Sequence, residues 1–255
     1  MEILQILEKN IYIFFFIFYR TLLLFFLFPI FGVAFFPTQL KILVSLVLAF
    51  ILTPVISFKL PPLNNVYNVM LILLSDFILI FLISLIFRII LAGIRLGGEL
   101  VGMQMGFGIS QTIDPISGFS MPVISQFVYI IFLLLFFSFD FHHYLIYFLY
   151  ESFDKIPPGS FSLKEGLALF IIKKSKLIFE LSIKFLAPLL IFITLIYVSL
   201  AIIGRLIPQM NIIFVAFPLI IGLGILFFGF MLVVLPRIMY PCFSDYFKSI
   251  FIFLR

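Results

Sequence analysis

Charged residues are scarce in this sequence of 255 residues: Asp, Glu, Lys and Arg make up 11% of it, whereas 65% is hydrophobic. Soluble proteins contain about 25% charged and roughly 45–50% apolar residues. Because a soluble fold could not bury this much apolar surface, the composition predicts a membrane protein. No stretch is polar enough for a separate soluble domain, and we therefore expect a single membrane domain over residues 1–255.

Cysteine and histidine are nearly missing, which excludes several kinds of site. The single cysteine, Cys242, allows neither an intramolecular disulfide nor a metal site built on several cysteines. The two histidines, His142 and His143, are adjacent, and neighbouring residues of a helix point to different sides. There is also no P-loop, dinucleotide-binding fingerprint or nucleophile elbow. We therefore predict a protein that is not an enzyme and has no catalytic residue, no metal and no cofactor.

Long apolar runs, interrupted by proline, glycine or charge, make up most of the chain. A helix needs about 20 mostly apolar residues to cross a bilayer. We predict an all-α, polytopic membrane protein of about six hydrophobic helices, the first of which should bend or end near Pro29 and Gly32. The predicted spans are residues 11–36, 40–58, 66–92, 125–150, 177–203 and 212–235.

Lysine and arginine are unevenly divided between the two sides of these spans. Ten of the sixteen lie in the N-terminal segment, the second and fourth loops and the C-terminal tail, and four lie in the opposite loops. The positive-inside rule then predicts that both termini are cytoplasmic. Arg20 and Asp76 fall inside predicted spans, where charges are costly and usually functional. They could pair between two helices, which the sequence alone leaves open.

A glycine-rich connector fills residues 93–124. It contains seven glycines together with Pro115 and Pro122, so it cannot be one regular helix through its length. Its remaining residues are mostly apolar. Since lipid would leave the backbone amides of irregular chain unsatisfied, such a connector must lie against protein or line a cavity. We expect a re-entrant or plug-like segment.

A charged helix face precedes the fifth predicted span. Lys173, Lys176, Glu180 and Lys184 follow helical spacing, and Glu180 and Lys184 are expected to form a pair four residues apart. Two interpretations remain open. The face could be an amphipathic approach to the membrane, or it could pack inside a complex where it never meets lipid.

Two longer strings are the most specific features of the sequence. The first reads Gly-Glu-Leu-Val-Gly-Met-Gln-Met-Gly-Phe at residues 98–107, followed by Asp114-Pro115, and the second reads Gly-Arg-Leu-Ile-Pro-Gln-Met-Asn at residues 204–211. Between them lie Glu-Ser-Phe at residues 151–153 and Ile-Pro-Pro-Gly at residues 156–159. In order, spacing and total length, these strings resemble the FliR family of flagellar type III export-gate proteins.

The resemblance implies a non-catalytic structural subunit built from helical hairpins. With FliP- and FliQ-type subunits it would form the channel through which unfolded flagellar proteins cross the bacterial inner membrane at the flagellar basal body. FlhB- and FlhA-type proteins would be further partners. The family pattern also implies a FliP-like half over residues 1–124, with the plug connector at 93–124, and a remainder over 125–255 that includes a FliQ-like half.

The resemblance further implies two sets of site residues. The plug or pore lining would comprise Gly102, Met103, Gln104, Met105, Gly106, Phe107, Gly108, Asp114 and Pro115. The subunit interface would comprise Glu99, Glu180, Lys184, Arg205, Pro208, Gln209, Met210 and Asn211. Close helix packing by small residues is the alternative for the glycines, and an ordinary connecting turn is the alternative for residues 205–211.

Two alternative functions remain, the first from the same resemblance and the second from the hydrophobic composition. One is a gate subunit of a virulence-type type III secretion system, which has a similar fold. The other is a secondary transporter of small solutes, in which the glycine-rich break would surround a substrate. Such a transporter should contain an internal repeat, and the 93–124 pattern has no counterpart in the second half of the sequence.

Overall fold

The computed structural model describes residues 2–32, 36–61, 65–107, 123–161, 167–209 and 211–253, and every regular element in these ranges is a helix. The prediction of an all-α protein is therefore confirmed. The helices in these ranges are α1 (Glu2–Leu27), α2 (Thr38–Leu52), α3 (Val66–Gln104), α4 (Val123–Ser138), α5 (Phe141–Lys155), α6 (Leu167–Leu206) and α7 (Ile212–Phe253).

Several of these helices are long and apolar enough to cross a membrane. Within the described residues there are four such stretches, or five if α4 and α5, which bend where they meet, form one span. This agrees broadly with the predicted six hydrophobic helices. The four stretches are Asn10–Leu27, Val66–Gln104, Ala187–Leu206 and Phe214–Ile250.

Two predicted spans differ from the helices observed. The second is α2, which has only 15 residues and ends at Leu52. It ends there because Pro54 lacks the amide donor that the next helical hydrogen bond would need. The fourth is interrupted at Phe139 and Asp140, which separate α4 from α5. The first span does end before Pro29, as predicted.

The predicted connector also begins later than expected. Residues 93–104 continue α3 without a break, and the helix ends only at Gln104. With 39 residues, α3 is about 58 Å long, against a hydrocarbon thickness of about 30 Å. Part of α3 must therefore lie outside the apolar layer or be covered by protein.

Contacts divide the chain into two compact units. Unit 1 comprises Met1–Arg88, Asp140–Ile172 and Ser244–Arg255, and unit 2 comprises Ile89–Phe139 and Lys173–Phe243. In unit 1, α1 packs against α2. Its apolar core includes Phe58, which stacks on Phe153 with the ring centroids 5.4 Å apart.

A buried ion pair joins α1 to α3 within unit 1. Arg20 donates through Nη2 to Asp76 Oδ1 at 2.7 Å and through Nε to Asp76 Oδ2 at 3.2 Å. Neither side chain is exposed. The interhelical pairing that the sequence left open is therefore present.

The same guanidinium also binds the end of α5. Arg20 Nη1 donates to the carbonyl and hydroxyl oxygens of Ser152, at 3.0 and 3.1 Å, and to the carbonyl of Ile156 at 3.1 Å. The last carbonyls of a helix lack donors within the helix, and a cation near them is favourable. The guanidinium carbon lies 4.1 Å from the ring centroid of Phe153. One side chain thus connects three helices.

Candidate functional site

Glycines bring α3 close to its neighbours in unit 2. A Cβ built on Gly93 would lie 2.8 Å from the Ile178 carbonyl oxygen on α6, and one built on Gly98 would lie 2.9 Å from the Ser125 Cα on α4. Contacts this short leave room only for glycine. For this part of the predicted connector, close helix packing by small residues is therefore what the structure contains.

An arginine lies among these packed helices. The guanidinium carbon of Arg95 is 4.0 Å from the ring centroid of Tyr129, close enough for a cation–π interaction. The Ser125 hydroxyl donates to the Arg95 carbonyl at 3.1 Å. The charge is thus placed against an aromatic face on α4.

The end of α3 has the hydrogen bonds of a Schellman motif. The amide of Phe107 donates to the carbonyl of Gly102 at 3.0 Å, and the amide of Gly106 donates to the carbonyl of Met103 at 3.1 Å. Gly106 has a φ of +88°, which L-residues with side chains rarely adopt. The predicted plug sequence therefore begins with a helix cap that requires glycine.

Met105 and Gly106 contact α7 directly. Met105 is fully buried, and a Cβ built on Gly224 would lie 2.9 Å from its Cε. A Cβ on Gly106 would lie 3.2 Å from the Phe217 ring. Beside this contact is a cavity of about 340 Å³, lined by Met105, Gly106, Tyr197, Leu200, Ala201, Ala216, Phe217 and Ile220.

The two side chains before Met105 differ from it in their surroundings. Met103 is 46% exposed, although it lies only two residues away. The Tyr197 hydroxyl donates to the backbone carbonyl of Gln104 at 3.3 Å. The side-chain oxygen Oε1 of Gln104 is buried and accepts no hydrogen bond from the described residues. The capped end is thus anchored on α7 by one methionine and leaves the other one exposed.

The predicted charged face on α6 is present with a different pairing. Glu180 Oε1 lies 3.3 Å from the Nζ of Lys176, four residues before it. The expected partner was Lys184, which is exposed. Periodicity alone could not choose between the two lysines, because each is four residues from Glu180. Glu99, on α3, is half-buried.

The described residues of the loop between α6 and α7 are exposed. Helix α6 ends at Leu206, two residues before Pro208, and α7 begins at Ile212, directly after Asn211. The exposed residues predicted as a subunit interface here are Arg205, Pro208, Gln209 and Asn211. Four other predicted site residues lie outside the described ranges: Gly108, Asp114, Pro115 and Met210.

Two residues of this site were not singled out from the sequence: Tyr197 and Gly224. A glycine in an apolar helix is a signal of close approach. Yet Gly222 and Gly229 lie in the same helix, and a Cβ on either would meet nothing within 4 Å. The signal could not have told Gly224 from its neighbours.

Comparisons with known proteins give a consistent result. A family model described as "Bacterial export proteins, family 1" matches residues 11–246. The flagellar biosynthetic protein FliR of Pectobacterium carotovorum subsp. carotovorum is 29% identical over 234 residues, which cover 92% of this chain and 89% of that protein. FliR of Buchnera aphidicola subsp. Baizongia pistaciae is 31% identical over 229 residues, covering 89% and 88%. FliR of Aquifex aeolicus is 27% identical over 241 residues, covering 93% and 92%.

Proposed function

Since the chain belongs to the bacterial export proteins, family 1, we propose that it is a non-catalytic structural subunit of the flagellar type III protein export gate. In this role it forms a channel with FliP- and FliQ-type subunits, and unfolded flagellar proteins cross the bacterial inner membrane through it. FlhB- and FlhA-type proteins bind the same assembly. The flagellar branch is favoured over a virulence-type gate because the relatives above are named flagellar biosynthetic proteins.

The single observation that carries the gate role is the capped end of α3. The buried side chain of Met105 anchors this end on α7, while Met103 projects outward. Methionine is flexible and polarizable, so it can fill a gap and then repack. The end of α3 is held by the buried Met105, and the exposed side chain of Met103 can repack. This combination suits a plug that closes a pore and opens for a passing chain.

The apolar faces of α6 and α7 support an assembled state. Within Ala187–Leu206, only 22% of the most apolar 18-residue stretch is buried inside the chain. The corresponding share within Phe214–Ile250 is 28%. These faces are available for packing against FliP- and FliQ-type subunits.

Co-expression tests the assembly directly. The chain should co-purify in detergent with tagged FliP- and FliQ-type subunits as one complex. Charge reversal at Arg205, which is exposed in the last turn of α6, should reduce recovery of this chain in the Arg205→Glu variant. Lys155→Glu, exposed on α5, serves as the matched control and should leave recovery unchanged. A chain that is stable alone and transports a small solute in liposomes would contradict the proposal and favour a transporter.

A further inference from the structure

Asp140 has an unusual backbone conformation at the start of α5. It is the N-cap of this helix with a φ of +58°, and among the described residues it is the one non-glycine residue with positive φ. Aspartate tolerates this left-handed conformation better than most residues do, but the conformation still costs free energy. Its presence suggests that the side chain at this position serves a purpose.

The carboxylate of Asp140 does not cap the helix. An N-cap aspartate usually accepts a hydrogen bond from a backbone amide of the first turn, and Asp140 makes no such side-chain bond. Its Oδ1 lies 3.8 Å from Nδ1 of His143 instead. The negative charge therefore faces an imidazole three residues along the chain.

The two histidines converge on this carboxylate, although adjacent positions of a helix were expected to point apart. The ring centroids of His142 and His143 are 4.1 Å from each other. One ligand atom from each of the two histidines and from Asp140 lies within 4.8 Å of the other two. Phe141, which is buried and stacks on Phe247 with centroids 5.6 Å apart, fixes this turn.

We propose that Asp140, His142 and His143 bind a divalent transition-metal ion of the zinc type. Two imidazole nitrogens and one carboxylate oxygen form a ligand set that zinc favours. In a tetrahedral site with bonds of about 2.0–2.1 Å, the ligand atoms are about 3.3 Å apart. The three atoms must therefore approach one another by at most about 1.5 Å, which side-chain rotation can supply. The site is open, so water can take the fourth position.

Charge makes Asp140 the decisive ligand. The metal would lie near the N-terminus of α5, where the helix dipole is unfavourable for a cation. The carboxylate offsets this, whereas two neutral imidazoles alone would not. Magnesium and calcium prefer oxygen ligands and should not compete. The prediction from sequence that no metal binds would then be wrong, because the first turn of α5 brings the rings of His142 and His143 together.

Metal titration of the full-length chain tests this site. The chain, purified in its assembly without a polyhistidine tag, should bind one Zn²⁺ per copy in competition with a chromophoric chelator, and Co²⁺ should give a tetrahedral absorption spectrum. Asp140→Asn and His143→Ala should each weaken Zn²⁺ binding by about tenfold or more. Asparagine also tolerates positive φ, so the first variant keeps the backbone conformation.

A matched control comes from the same helix. Asp154 is exposed on α5, and Asp154→Asn should leave Zn²⁺ affinity unchanged. The proposal is overturned if Asp140→Asn and His143→Ala bind Zn²⁺ as the unmodified chain does, or if the unmodified chain binds no Zn²⁺. Circular dichroism of each variant verifies that the helices are intact, so that weaker binding reports on the ligands.

Discussion

Arg20 and Asp76 lie 56 positions apart in the sequence and form a buried ion pair with two hydrogen bonds, of 2.7 and 3.2 Å. The pair does not stand alone, because Arg20 also binds the last turn of α5. Removing one partner of a buried pair leaves an uncompensated charge, and this costs far more than the pair itself contributes.

Loss of the carboxylate should therefore destabilise the protein strongly. We expect Asp76→Ala to lower the free energy of unfolding by about 3–5 kcal/mol. The measurement is reversible unfolding of the purified chain in mixed detergent micelles. The apolar double variant Arg20→Met with Asp76→Leu should lose less than Asp76→Ala alone, since it leaves no buried charge. An equal or greater loss in the double variant would show that the ion pair is not the cause.

A small addition at Gly93 should disturb the contact between α3 and α6. A Cβ there meets backbone, not the movable end of a side chain, so the helices must shift. We expect Gly93→Ala to destabilise the protein by about 1–3 kcal/mol. Gly229→Ala is the matched control: the space around Gly229 is open, and alanine favours the helix by about 0.5–1 kcal/mol. Equal free energies of unfolding for the two variants would contradict the close contact at Gly93.

The turn after α5 offers an independent test of packing in unit 1. Gly159 has a φ of +80°, and a Cβ there would lie 2.8 Å from Cγ1 of Ile72. Gly159→Ala therefore combines backbone strain with a clash and should cost about 1–3 kcal/mol in the free energy of unfolding. Ser160→Ala, at an exposed neighbour, should change it by less than about 1 kcal/mol. Comparable losses in the two variants would contradict this assignment.

Much of the fold follows from composition and spacing. Long apolar runs predict an all-α membrane protein because lipid requires every backbone group to bond within its own helix. The end of α3 within residues 98–107 can also be predicted, because glycines interrupt an apolar string there. The length of α3 was not visible, because glycine disfavours an isolated helix, and the close contacts of Gly93 and Gly98 offset that preference only in the folded chain.

Contacts between residues far apart in the sequence could not be predicted from it. Arg20 and Asp76 could be recognised as costly charges, but nothing in the spacing predicted that Ser152 and Ile156 would share the guanidinium. The histidines show the same limit at short range. Helical periodicity places adjacent residues on different sides, whereas the rings of His142 and His143 lie close together at the helix start.

The contact between the end of α3 and α7, where Met105 packs on Gly224, connects the fold to the proposed gate. Gly224→Leu would displace the buried side chain of Met105, whereas a Cβ at Gly222, two residues away, meets no atom of this chain within 4 Å. Overpacking costs about 1–3 kcal/mol. If that cost falls on the closed state alone, the open fraction rises by about 5–150-fold.

Ion conductance of the reconstituted assembly is the most direct test of the central claim. With FliP- and FliQ-type subunits in planar bilayers, the unmodified and Gly222→Leu assemblies should be closed. The Gly224→Leu assembly should leak, as should Gly106→Ala, whose φ of +88° alanine adopts only under strain. Intact assemblies of Gly224→Leu and Gly106→Ala that remain as closed as the unmodified one would contradict the role of α3 in closing the channel.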